Sequence, residues 1–130
     1  MAPDPPDLAT RPIHLAGVVA DEMPAFDGSP AWFEQYVKDH PEPGFLVTSF
    51  SFSEPWDSWE MHPHGHEVVL CVAGTMTLHQ ELPSGETRTV VLEEGQYAIN
   101  EPGTWHTADV ADVATGVFIT AGEGTTHRPR

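Results

Sequence analysis

Basic residues are scarce in this chain: five Lys and Arg stand against twenty Asp and Glu, a formal net charge of −15. Such a surface repels phosphate backbones and anionic headgroups, which excludes nucleic acid and acidic membranes as partners. Cysteine is nearly absent. Cys71 stands alone, so no disulfide can form within the chain, and its place in the apolar run Val68–Ala73 reads as a buried, inert thiol in a reducing, cytoplasmic setting. Long apolar runs are missing too. The segment Met1–Pro12 carries four prolines and no apolar stretch behind a basic one, so neither a secretory leader nor a membrane span is expected there. No internal repeat is evident.

What is present suffices for a core. The 130 residues suit one domain, and 39% are apolar, with four Trp and six Phe. Residues 1–16 read as an N-terminal arm and 17–130 as a single domain. Thirteen Pro and eleven Gly cut the chain into short segments that, after residue 43, are rich in Val, Ile, Phe, Thr and Trp. Strands are expected near 45–53, 58–62, 67–73, 75–81, 87–92, 96–100, 104–110 and 116–121. The fold class is all-β, a small sandwich or barrel. One helix is expected, at residues 30–39. Ser29 can cap it, Pro30 suits its first position, Trp32/Tyr36 and Phe33/Val37 form an apolar face, and Pro41 stops it. It is expected to pack on the outside of the sheet.

Three of the eight histidines crowd into His62-Pro63-His64-Gly65-His66, followed at once by Glu67 and preceded by Trp59-Glu60. A fourth, His106, lies well downstream. Imidazole and carboxylate are the ligands of first-row divalent ions. Residues two apart on a strand share a face, so Glu60 and His62 can aim together into a barrel while Trp59 and Met61 pack opposite. Glu67, Val69 and Cys71 would face the same interior. Tyr97 and Asn100 are further candidates to line it. His14, His40, His79 and His127 have no partner at ligand spacing in the sequence and read as surface or structural.

These residues resemble the cupins, small jelly-roll β-barrels whose first motif is G-x5-H-x-H-x(3,4)-E-x6-G and whose second is G-x5-P-x-G-x2-H-x3-N. Glu67 through Gly74 reproduces E-x6-G, and Gly95, Gly103 and His106 keep the spacing of the second motif. Motif 1 spans about residues 60–74 and motif 2 about 95–110. The chain departs from the pattern at the first histidine. Read without gaps, Glu60 takes that place and the resemblance implies Glu60, His62, Glu67 and His106 as metal ligands. Read with a shortened loop, His62 and His64 are the histidine pair and the set is His62, His64, Glu67 and His106. The ungapped frame is preferred, since residues 63–66 then form a turn after the second histidine. The upstream Gly is absent, the second motif's Pro is displaced to Pro102, and Val110 stands in place of the final Asn. The resemblance implies one bound divalent ion (Fe, Mn, Ni, Cu or Zn), a small-molecule substrate, and a homodimer built through the N-terminal segment. Among cupin activities, metal-dependent dioxygenase-type chemistry comes first, with isomerisation or decarboxylation next and Glu60 as the candidate catalytic base. The competing expectation is a non-catalytic module that binds or senses a small molecule.

Overall fold

The structure is a computed structural model that describes residues 4–130. The first three residues of the expected arm lie outside the described residues. The described chain forms eleven strands and one helix: β1 (Ile13–Ala16), β2 (Val19–Glu22), α1 (Pro30–Asp39), β3 (Phe45–Phe52), β4 (Ser58–Met61), β5 (Glu67–Ala73), β6 (Met76–Glu81), β7 (Thr87–Leu92), β8 (Tyr97–Asn100), β9 (Trp105–Asp109), β10 (Ala114–Thr120) and β11 (Thr126–Pro129). All eight expected strands are present within about two residues of their expected ends, and α1 matches its expected bounds.

Two antiparallel sheets result, six-stranded in the order β2-β1-β3-β10-β5-β8 and five-stranded in the order β11-β4-β9-β6-β7. This is the expected jelly roll. Period-2 alternation decides which faces meet. Along β5, Glu67, Val69 and Cys71 are buried while Val68 and Leu70 are half-buried and Val72 is exposed, and β6 buries Met76, Leu78 and Gln80. Val69, Cys71, Ala114 and Phe118 of the first sheet pack in one core with Met76, Leu92 and Ala108 of the second and with Val110, just past β9. Cys71 is fully buried, and its thiol, raised by burial, points at the carbonyls of Ala73 and Gly74.

Two features depart from the sequence reading. Ile13–Ala16, counted with the arm, is a sheet strand, because Ile13, His14 and Leu15 pair with Val47, Leu46 and Phe45 of β3. Helix α1 buries no residue fully; Phe33 and Val37 are 41% and 56% exposed, although the Phe33 ring meets Phe26 edge-on. The helix is anchored instead by Trp32, edge-on to Phe26, which in turn packs on Phe50 of β3, and by Tyr36 against His14. Ser29 does cap it, its hydroxyl accepting from the Trp32 N–H at 3.2 Å.

Strand β11 closes the second sheet. It pairs with β4 over four positions, whereas β4 meets β9 at a single one, Glu60 opposite His106. The Arg128 guanidinium lies over the rings of Trp59 and Trp105, 5.1 and 4.5 Å from their centres, and is ion-paired to Glu81.

Candidate metal centre

Register brings the centre together. Glu60 on β4 stands opposite His106 on β9, and His106 also stands opposite Gln80 on β6. On the facing sheet, Glu67 of β5 is flanked by Asn100 of β8 and Thr120 of β10. His62 follows β4 directly, with its carbonyl held by the Gly103 N–H at 3.0 Å.

Glu60, His62, Glu67 and His106 thus offer ligand atoms that all lie within 4.8 Å of one another. His62 Nε2 is 2.9 Å from Glu60 Oε1 and 3.1 Å from Glu67 Oε2, and His106 Nε2 is 3.0 Å from Glu67 Oε1 and 3.8 Å from Glu60 Oε1. Three of the four side chains are at most 4% exposed, while Glu60 is 29% exposed. His64, the ligand of the gapped frame, lies outside the group, exposed on the turn after His62. Tyr97 is 61% exposed and points away, whereas Asn100 is buried beside Glu67.

Outer hydrogen bonds orient each ligand. Thr125 Oγ1 donates to the Gly122 carbonyl at 2.7 Å, so at 2.7 Å from His62 Nδ1 it accepts the ring's N–H. His106 Nδ1 donates to the Thr104 carbonyl at 3.3 Å. Both rings therefore turn Nε2 to the centre, the tautomer a metal ligand needs. Glu67 accepts from Asn100 Nδ2 on one oxygen and from Thr120 Oγ1 on the other, at 3.1 and 2.7 Å, and Gln80 steadies Asn100 at 2.7 Å.

The donor set fits a divalent ion. His106 Nε2 is buried yet has no hydrogen-bond partner. Glu67 Oε1 stands near it but off the ring's N–H direction, so the approach is an ion contact that leaves the nitrogen aimed at the space the four ligands share. Two imidazoles and two carboxylates are ligands for Fe, Mn, Ni, Cu or Zn.

Without an ion, protons hold the group together. Burial opposes charge at every member, but the facing carboxylates outweigh it, raising His62 to about 9 and His106 to about 10. Glu67 is correspondingly lowered to about 2 and Glu60 is held below the carboxylate range, each against its burial.

Sequence reasoning missed the supporting threonines and a second cluster, His14, His40 and Glu42, whose ligand atoms also lie within 4.8 Å of one another. His79, expected to be surface or structural, pairs with Asp109 at 2.7 Å, and His127 with Glu60 at 3.0 Å.

No family model matches the chain, and no curated protein matches it. Solved structures do. Hydroquinone 1,2-dioxygenase from Sphingomonas sp. TTNP3, with 4-hydroxybenzoate bound, is similar at 17% identity and TM-score 0.50 over 59% of this chain and 60% of that one. Drosophila melanogaster CENP-C bound to CAL1 is similar at 14% identity and TM-score 0.52, over 59% and 73%. Oxalate oxidase in complex with the substrate analogue glycolate is similar at 13% identity and TM-score 0.53, over 64% and 44%. The similarity spans less than two thirds of the dioxygenase and oxidase chains.

Proposed function

This chain has the cupin fold, and from that premise we propose that Glu60, His62, Glu67 and His106 hold one first-row divalent ion in a metal-dependent enzyme acting on a small oxygenated molecule, with dioxygenase-type chemistry first and isomerisation or decarboxylation next. The observation that carries this reading is the buried, unpartnered Nε2 of His106 among two carboxylates and a second imidazole. When bound, such an ion supplies Lewis-acid polarisation of a substrate oxygen and, if it is redox-active, electron exchange with dioxygen.

The protein's own groups divide the remaining work. Glu67, buried and held on both oxygens, is a fixed ligand. Glu60 is different: Oε1 faces the imidazoles, while Oε2 lies 3.0 Å from Nε2 of His127, whose side chain is 58% exposed. Glu60 Oε2 is our candidate to take a substrate proton, and the exposed His127 beside it to pass the proton to solvent. Trp56, T-shaped to His106 at 6.2 Å and packed on Phe52 and Phe118, keeps water from that flank. The similar structures with 4-hydroxybenzoate and glycolate bound favour a phenol or hydroxy acid as the substrate class.

The second reading is a binding module without chemistry. It draws on the CENP-C neighbour, a protein of this fold bound to another protein. Oxygen uptake separates the two. Protein loaded in turn with Fe2+, Mn2+, Ni2+, Cu2+ and Zn2+ is mixed with a panel of phenols and hydroxy acids. We expect substrate-dependent oxygen consumption with at least one metal, lost in His106→Ala. Saturable binding with neither oxygen consumption nor product would establish the module, and failure to load any metal would overturn both the centre and the enzyme.

A further inference from the structure

On the opposite side of β3 from the core, β1 and the connection from α1 to β3 bring together three groups that the cupin motifs do not include. His14 of β1 is 2% exposed, and its Nε2 is buried with no hydrogen-bond partner. Glu42 Oε1 lies 3.3 Å from that nitrogen and 3.5 Å from Nδ1 of His40, the residue that caps the C-terminus of α1. The two imidazole rings pack with centres 4.1 Å apart.

From this geometry we infer a second metal site, at which His14 Nε2, His40 Nδ1 and Glu42 Oε1 bind a divalent ion of the Zn2+ type with its fourth position open to solvent. The spacing agrees with the ion's preferred coordination. Ligand atoms bonded at about 2.1 Å stand about 3.4 Å apart at the corners of a tetrahedron, and the two nitrogen–oxygen edges are 3.3 and 3.5 Å. The donor set is closed for specificity and open for access: His14 is buried and His40 15% exposed, while the Glu42 side chain is 50% exposed. An outer contact completes the arrangement. Tyr36 Oη is 2.6 Å from His14 Nδ1, so a ring N–H given to the phenol leaves Nε2 with its lone pair toward Glu42. Gly44 makes room for the ring. A Cβ there would stand 2.6 Å from His14 Cε1 and 3.1 Å from Nε2.

The ion joins α1 to the sheet. The helix buries none of its own residues fully, and His14 is its contact with β1. Binding at this site should therefore protect α1 rather than support turnover.

The experiment counts ions and reads their geometry. Wild-type protein, His40→Ala and Glu42→Gln are saturated with Co2+, passed through gel filtration and analysed for metal by mass spectrometry and visible absorption. Glu42 is half exposed and its variant should keep the fold, while circular dichroism of α1 checks His40→Ala, which replaces the residue at the helix's C-cap. We expect two Co2+ per wild-type chain and one in His40→Ala, with the loss of the visible absorbance that one four-coordinate Co2+ contributes. In Glu42→Gln the affinity for the second ion should fall at least about tenfold. A His106→Ala chain should lose the other ion and keep this site's absorbance, and a drop from one ion to none in His40→Ala would sink the cupin centre and leave this site standing. An ion count and absorbance unchanged by His40→Ala would overturn the proposal, since the ions would then sit at the cupin centre or on exposed histidines such as His64 and His66.

Discussion

Glu67 is the residue on which the cupin centre turns: it is 2% exposed, bonded on both oxygens, and in contact with both imidazoles. Its ionisation is tied to theirs, so the four groups exchange protons as a unit. His62 and His106 hold protons more tightly folded than unfolded, which stabilises the metal-free protein fully below their ordinary value of 6.5 and progressively less as pH rises through about 9 to about 10. Glu67 works in the opposite sense, contributing above its ordinary 4.5 and losing that contribution as pH falls to about 2. The metal-free protein should therefore melt at its highest temperature between these ordinary values and at lower temperatures from pH 6.5 to 9. An incoming ion must displace the imidazole protons. Metal binding at pH 7 should release about two protons, read with an indicator in weak buffer, and affinity should climb over the same pH interval in which the metal-free protein loses stability. Proton release near zero would mean that the ion binds elsewhere.

At the scale of elements, the turn after β5 is under the tightest constraint. Gly74 has φ +74°, and a Cβ on it would run into the Val113 carbonyl beside β10. A Gly74→Ala chain must adopt the left-handed backbone at a cost of about 1–2 kcal/mol and must also move that carbonyl. The melting temperature should fall by roughly 10 °C, with the four ligands unaltered. An unchanged melting curve would show that the turn relaxes freely.

This glycine was legible as the last position of the first motif, and so were the eight strands with strong alternation and turn residues at their ends. Strands β1, β2 and β11 were not legible, because segments as short and polar as Val19–Glu22 and Thr126–Pro129 carry no apolar period. The ligand types could be read from local spacing. Their supports could not: Thr125 reaches His62, and Thr120 reaches Glu67, only through the pairing of strands far apart in the chain. The same holds for His14, whose partners lie across the α1 connection.

For the whole molecule, the charge of −15 favours capture of cations and disfavours anionic substrates, so of the two proposed substrate classes a neutral phenol should suit this surface better than a hydroxy acid, which is a carboxylate at pH 7. No helix among the described residues is long and apolar enough to cross a membrane. The expected dimer contact through the N-terminal segment, Ile13–Val19 included, narrows to its second half. Ile13 and Leu15 are occupied within their own sheet, while Val18 and Val19 at its β2 edge are fully and half exposed. We propose that a homodimer would use this edge. Gel filtration with light scattering at micromolar concentration should give twice the chain mass for wild type and the chain mass for Val19→Lys. Monomeric wild-type protein would rule the dimer out.

The dependence of β4 on β11 carries over to the life of the chain on the ribosome. Glu60 sits on a strand that touches β9 at one position and is otherwise held by β11 and by Arg128 between two tryptophans. Because β11 is synthesised after every other strand described here, the nascent barrel emerges with its ligand strand unclamped. Glu60 therefore takes its place beside His62, Glu67 and His106 only after Arg128 has been made, and an ion held by the four side chains would enter after β11 has paired.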